Sequence, residues 1–479
     1  MKKTLAKLFS LMLVCALLLC SCSKTPEDNE QGNNGSEETH EDDGLRYQPE
    51  WTKDAVIYEV NVRQFTKEGT FKAFGEHLQE LKDTGINTLW FMPIHPISFK
   101  NRSGKLGSPY SVGDYLKVNP DYGSMEDFDN LVKQAHDMGF HVMIDWVANH
   151  TGWDNPWIEE HPDWYTQDAS GNIISPDGMG WPDVADLNYD NAEMRQAMID
   201  AMKFWVEEHD IDGFRCDYAN GAPVSFWEDA RDQLEAIKPV YMLAECKGIK
   251  ELLAKGFDTE YNLDLYDTLI YTSTGAGKAS SIKNYVSPSY LPDGTYQMNF
   301  LDNHDKSLQD GAIGKHYTSE NLPTFFAIIY TIPGVPMIYT GDEIAYDKNI
   351  NFLESDPVDW NSTGVSYREL LAALSKIRSE NSALYSGNYG GAIEYVNVGE
   401  SDKYIFTFTR EKDGNKIKCI FNCTKKEREV DLSGWLTGNE TVLMHGIADN
   451  FNWEEYPISD DGLSSSATLA AWEFYIVKE

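Results

Sequence analysis

Along most of the chain, short apolar runs alternate with segments in which apolar residues recur every three or four positions. Residues 55–60 form the first run, and Phe71, Phe74, Leu78 and Leu81 follow at helical spacing. A second run covers residues 88–92. Ser124 then caps a predicted helix with Glu126 and Asp127 in its first turn and Phe128, Leu131 and Ala135 on its inner face. Further runs fall at 141–145, 212–219, 241–245, 259–265, 297–305 and 335–339, and Leu370, Leu374 and Ile377 mark a closing helix. Apolar runs joined by amphipathic helices predict parallel strands, here enough of them to close a barrel.

Two regions break this alternation. Residues 151–188 have little periodicity yet hold Trp153, Trp157, Trp164, Tyr165 and Trp181, and a long irregular insertion in a compact domain is usually functional. Most of these aromatic residues are expected to pack the insertion, with one or two left to contact a ligand. After about residue 383 the period becomes two: Tyr404, Phe406 and Phe408 alternate with Ile405, Thr407 and Thr409, and Trp472, Phe474 and Ile476 repeat the pattern. That reads as a small antiparallel β domain.

The first residues follow another logic. Lys2, Lys3 and Lys7 precede an apolar stretch from Leu8 to Leu19, too short to span a bilayer comfortably, so an export signal is expected over 1–21. Leu19-Cys20-Ser21-Cys22 resembles a bacterial lipobox, which implies a lipid on Cys22 and an extracytoplasmic protein anchored to an outer membrane or cell surface without crossing it. Residues 22–48 are mostly acidic and polar, which predicts a flexible tether. The expected organisation is therefore signal (1–21), tether (22–48), barrel (49–382, with an insertion over 151–190) and β domain (383–479). The net charge of −37 argues against nucleic acid, whose phosphates it repels, and is indifferent to a neutral polymer. Cys216 and Cys246 fall on neighbouring predicted strands, as small buried thiols or as a disulfide, and no cysteine has zinc-ligand spacing.

Candidate chemistry collects at the ends of the apolar runs. In Asp212-Gly213-Phe214-Arg215-Cys216-Asp217, Arg215 and Asp217 leave a strand on the same face. An arginine beside a carboxylate favours the ionised form and makes Asp217 a candidate nucleophile, although the same pair also makes an ordinary buried salt bridge. Asp145-Trp146-Val147-Ala148-Asn149-His150, Leu243-Ala244-Glu245 and Phe300-Leu301-Asp302-Asn303-His304-Asp305 end in acids, amides and histidines in the same way. In a parallel barrel these ends share one face, and carboxylates converging there suggest glycoside chemistry.

These four motifs, in this order, resemble the α-amylase family, glycoside hydrolase family 13. Gly85-Ile86-Asn87 leading to Pro93, and Gly334-Val335-Pro336-Met337-Ile338-Tyr339 ending at Gly341-Asp342-Glu343, extend the resemblance over about residues 51–379. It implies a (β/α)8 TIM barrel with a short insertion after strand three and a C-terminal antiparallel β-sandwich. It also implies retaining hydrolysis of α-glucosidic bonds in starch or malto-oligosaccharides. By resemblance Asp217 is the nucleophile, Glu245 the general acid/base and Asp305 the transition-state stabiliser. Arg215, His304, His150 and Tyr110 would bind substrate, with Tyr110 stacking beneath the attacked sugar. No cofactor is implied for the chemistry. Asn149 and Asp186 match positions that supply oxygen ligands to a structural calcium in some relatives, and otherwise only cap hydrogen bonds. Two departures bear on specificity: Ser108 stands where many members carry a histidine, and Asn220-Gly221 where many α-amylases carry Lys-His. α-Glucosidase, cyclomaltodextrinase or neopullulanase, and 4-α-glucanotransferase activities fit the same motifs, and a non-catalytic glucan-binding lipoprotein is the rival of another class. The oligomeric state is not legible in the sequence.

Overall fold

Eight strands pair in parallel and close on themselves: β1 (Ile57–Val60), β2 (Thr88–Phe91), β3 (His141–Val147), β4 (Gly213–Asp217), β5 (Tyr241–Ala244), β6 (Thr259–Tyr261), β7 (Tyr296–Phe300) and β8 (Val335–Tyr339), with β8 returning to β1. This is the expected barrel. The structure, a computed structural model, describes residues 47–479 except 449, 461 and 462; the expected signal, Cys22 and nearly all of the tether lie outside the described residues. Among the described residues no helix is long and apolar enough to cross a membrane.

The strands are buried on both faces, which is why they appear in the sequence as apolar runs and not as alternations. Ile57, Trp90, Met143, Leu243, Met298, Val335 and Met337 fill the barrel, while Tyr58, Leu89, Ile144, Phe214 and Met242 face the surrounding helices. The helix Met125–Asp137 is set by a capping box: Ser124 Oγ accepts from Asp127 N at 3.1 Å, and Asp127 Oδ2 accepts from Ser124 N at 2.8 Å. β8 has the expected limits, but β6 and β7 are shorter than their apolar runs. β6 stops at Tyr261 because Asn262 caps the helix Leu263–Ser273, accepting from Leu265 N. β7 stops at Phe300, and Asn303 caps the helix His304–Gln309 in the same way, accepting from Lys306 N.

The insertion is pinned by a short antiparallel pair, His150–Gly152 with Val184–Asp186. Trp164 and Tyr165 are buried in it and Trp157 packs edge-on to Trp164 at 5.1 Å, so most of its aromatic residues do pack.

The C-terminal region is an unequal pair of antiparallel sheets, one of seven strands and one of two, Arg428–Asp431 with Ser466–Leu469. Its central strands Ile405–Lys412, Asn415–Asn422 and Phe474–Lys478 are buried on both sides. Phe406, Phe408, Phe421 and Phe474 join the large core shared with the barrel helices, and Ile405, Ile420, Val442 and Val477 meet the small sheet. Cys216, Cys246, Cys419 and Cys423 are buried free thiols.

Candidate active site

Strand parity builds the floor of the site. Residues on the same face as Ile57, Trp90, Met143 and Gly213 point into the barrel, so one step toward the C-terminal mouth the inward positions are Glu59, Asp145 and Arg215. Asp145 and Arg215 are register partners on β3 and β4. Gly213 opens β4 because a Cβ there would stand 2.3 Å from the carbonyl oxygen of Tyr241 on the adjoining strand. Arg215 is wholly buried, with the rings of Trp90, Tyr110 and Tyr261 at 5.3, 5.7 and 5.5 Å from its Cζ. Its Nη1 reaches Asp145 at 2.9 and 3.1 Å and Asp217 Oδ1 at 3.0 Å, and Nε donates to the Tyr261 hydroxyl at 3.0 Å. Nη2 stands 2.9 Å from Glu245 Oε2, close enough for an ion pair but out of line for a hydrogen bond.

Exposure rises outward from this cation: the side chains of Asp217, Glu245 and Asp305 are 14%, 27% and 37% exposed. Tyr218 has a left-handed backbone, φ +40°, and that bend lets its N–H donate to Glu245 Oε2 at 2.8 Å. His304 lies at the base of the Asp305 side, its Nδ1 2.5 Å from Glu59 Oε1 and its Nε2 2.8 Å from the Tyr110 hydroxyl and 3.6 Å from Asp305 Oδ2. His150 is buried, with Nδ1 3.1 Å from Asn149 Nδ2.

Electrostatics differ from the sequence expectation at one point. Asp217 is not simply held ionised by Arg215. Burial, followed by repulsion from Glu245, pushes its carboxyl well above the usual range, with Arg215 pulling the other way. Burial also raises Asp145 to about 6 against the pull of Arg215. Burial lowers His150 to about 4 and leaves it neutral at pH 7. His304 moves up to about 9, burial being outweighed by Asp305 and Glu59.

The cavity above these groups holds about 330 Å³ and is lined by Tyr110, His150, Asp217, Glu245, His304 and Asp305, with Trp181 as a wall and Ser108, Phe352 and Leu353 at its sides. Trp181 lies 5.6 Å from His150 and 5.5 Å from Tyr218, ring to ring, so it is the insertion's aromatic residue at the cleft. A larger depression of about 680 Å³ near Lys67 and Trp360 has only exposed carboxylates, Glu68, Glu76 and Asp359, and no buried cation among them. The smaller cavity is the candidate site.

Asn149 and Asp186 lie where the insertion leaves the barrel. Asp186 pairs through its backbone with His150, and Gly221 packs so closely that a Cβ there would sit 2.1 Å from Asn149 Oδ1. Among the described residues no three His, Cys, Asp or Glu side chains gather to hold a metal ion. Asn149 and Asp186 could supply part of the roughly six to eight oxygens that a calcium ion takes, with backbone carbonyls and water completing the set.

Glu59, Trp90, Asp145 and Tyr261 are the residues that motif reading left out of the site. For Glu59 the available signal is a lone acid inside an apolar strand; for Tyr261 and Trp90 nothing marks them off from barrel filling.

A parallel barrel with carboxylates and a buried arginine at its C-terminal mouth defines a glycosidase class of site. Residues 31–172 and 179–383 match the α-amylase catalytic domain, and the chain belongs to the α-amylase family of glycoside hydrolases. It is 27% identical to α-amylase 3 of Dictyoglomus thermophilum over 85% of this chain and 92% of that one. Among solved structures it resembles a noncanonic maltogenic α-amylase from Thermotoga neapolitana (TM-score 0.75, 26% identity, 88% and 98% of the two chains). An α-amylase from Lactobacillus plantarum is similar to the same degree (TM-score 0.75, 27% identity, 89% and 99%).

Proposed function

We propose that this chain hydrolyses α-glucosidic bonds of starch or malto-oligosaccharides with retention of configuration, by double displacement. The observation that carries this reading is the single guanidinium of Arg215, in contact with both Asp217 and Glu245 at 3.0 and 2.9 Å beneath one cavity. Retention uses two carboxyls roughly 5 Å apart, whereas inversion needs roughly 6.5–9.5 Å to admit water; two carboxyls on adjacent nitrogens of one guanidinium support the closer arrangement.

Asp217 attacks the anomeric carbon and forms a glycosyl ester while Glu245 gives its proton to the leaving oxygen. Glu245 then takes a proton from water, which releases the sugar from Asp217. Burial and then repulsion from Glu245 raise Asp217; when Glu245 holds the proton it will donate, that repulsion is absent and Arg215 stabilises the nucleophilic carboxylate. Asp305, His304 and His150 bind sugar hydroxyls, and Tyr110 underlies the ring. Two relatives named as α-amylases and one as a maltogenic α-amylase support an α-glucan as substrate.

A product time course on soluble starch, pullulan, cyclodextrin and maltotriose tests this, with Asp217→Asn as control. Rapid viscosity loss with mixed oligosaccharides identifies endo action, glucose alone an α-glucosidase, and longer products a transferase. No turnover of any α-glucan, with binding intact, overturns the hydrolase reading in favour of a binding protein.

The reading extends to location. Lipidation of Cys22 after removal of residues 1–21 would hold the enzyme at an extracytoplasmic membrane surface, and Cys22→Ala should then release it from the membrane fraction. A structural calcium near Asn149 and Asp186 would show as a fall in Tm on chelation that added calcium restores.

A further inference from the structure

His304 makes two hydrogen bonds, one through each ring nitrogen, to Glu59 and to Tyr110. Glu59 Oε1 is an acceptor 2.5 Å from Nδ1, so that nitrogen carries a proton. The Tyr110 hydroxyl has one proton; given to Asp145 Oδ2, 3.1 Å away, it leaves the hydroxyl oxygen to accept from Nε2 at 2.8 Å, and in that arrangement Nε2 carries a proton too. Both ring nitrogens donate only in the imidazolium form. Glu59 is fully buried on β1, and its other oxygen has no hydrogen-bond partner among the described residues.

We propose that Glu59 is a positioning residue for the reaction. By receiving Nδ1–H it keeps His304 doubly protonated and so sets a one-way chain, His304 to Tyr110 to Asp145, that orients Tyr110 and supplies Asp145 with a donor opposite Arg215. Without that charge a neutral His304 keeps one proton, Nε2 becomes an acceptor, and the Tyr110 hydroxyl turns away from Asp145 toward it. Asp145 then keeps Arg215 and the weaker 3.3 Å bond from Trp90 Nε1, and the cation's hold on Asp217 is redistributed.

The charged and titratable groups around the imidazole are Glu59 from β1, Asp305 beside it, Tyr110 against its face, Asp145 from β3 and Arg215 from β4; the remaining walls are the rings of Trp90 and Phe352. Arg215 is the one of these that opposes the charge, and the balance stands with the two flanking acids, in keeping with a His304 raised to about 9.

The inference rests on the retaining-hydrolase reading only for its kinetic consequence, and the test separates the two. Glu59→Gln keeps the shape and an acceptor oxygen but removes the charge, and Glu59→Asp keeps the charge. In Glu59→Gln the histidine should titrate near or below the ordinary value of about 6.5, so at pH 8 the imidazolium fraction, and kcat/KM with it, falls roughly thirtyfold. At about pH 5.5 the variant should match wild type within a few-fold, and Glu59→Asp should recover most of the activity at pH 8. In ¹⁵N-histidine-labelled enzyme, with His304→Gln to assign the signal, the His304 nitrogens should remain imidazolium-like at pH 8 in wild type and Glu59→Asp but not in Glu59→Gln. An unchanged His304 titration in Glu59→Gln overturns the inference, and so does an activity loss equal at all pH values. If the wild type hydrolyses no α-glucan, the hydrolase reading fails while the nitrogen shifts still decide whether Glu59 sets the charge.

Discussion

Arg215 at the barrel mouth and Arg410 at the barrel's junction with the C-terminal sheets are both fully buried, and they are satisfied in opposite ways. Arg215 faces Asp145, Asp217 and Glu245. Arg410 faces only backbone: its Nε donates to Gly391 O at 2.9 Å, Nη1 to Thr331 O and Leu384 O at 3.0 and 3.2 Å, and Nη2 to Tyr385 O at 2.7 Å. Arg378 likewise has no carboxylate partner, sharing Leu384 O, reaching Gly334 O and donating to the neutral Ser386 hydroxyl. Burial without a counter-charge lowers Arg410 to about 9 and Arg378 to about 10, whereas the carboxylates hold Arg215 well above its ordinary value. Carbonyls cannot change protonation or leave the backbone, so that cation fastens one part of the molecule to another. Carboxylates can do both, and the same group among them supports chemistry.

The largest effect that would test this contrast is Asp217→Asn. Hydrolysis should fall by on the order of 10⁴-fold or more, with Tm unchanged or raised because a buried carboxylate has been neutralised. A calorimetric scan beside the assay checks both halves.

Arg215→Met should lose about 10²–10³-fold in kcat and about 3–5 kcal/mol of stability near pH 7, since it strands buried carboxylates. Asp145 and Asp217 take up protons in the folded state at a higher pH than in the unfolded chain. Their penalty is therefore full above the folded-state pKa and is relieved as pH falls toward about 4. Urea melts across pH 4.5–8 should show the deficit shrinking on the acid side. In the wild type burial raises Asp145 and Arg215 pulls it back down to about 6, so without that cation the relief begins above pH 6.

Arg410→Met should cost about 3 kcal/mol by stranding carbonyls, with no pH dependence over the same range and with kcat within twofold of wild type. A pH-dependent deficit here would break the comparison. The smallest effect is expected from Trp181→Ala: a rise in KM of up to about tenfold, the worth of one aromatic contact, with kcat nearly unchanged.

Much of this was legible before any coordinates. Closed apolar runs gave the barrel, and Asp217, Glu245, Asp305, His304, His150 and Tyr110 do converge on one cavity. What was hidden has physical reasons. Apolar composition does not mark where a strand yields to a helix, so β6 and β7 were read too long across the caps Asn262 and Asn303. The left-handed bend at Tyr218 has no sequence signature, since the residue is neither glycine nor asparagine. The ionisation of Asp217 depends on burial and on three acids from other parts of the barrel, Glu245, Asp145 and Asp305, and a two-residue motif carries only the arginine. The central C-terminal strands are packed on both faces, so their alternation indicated strands but not what each face meets.

In the proposed mechanism Asp217 carries the sugar between the two displacements. Incubation with a fluorinated α-glucosyl fluoride, which forms its ester faster than water removes it, followed by proteolysis and peptide mass mapping, tests this directly. One added glycosyl group is expected on the peptide containing Asp217, and none in the Asp217→Asn variant, which keeps Glu245 and Asp305. Turnover without any labelled peptide, or a label on Glu245 or Asp305, would contradict it.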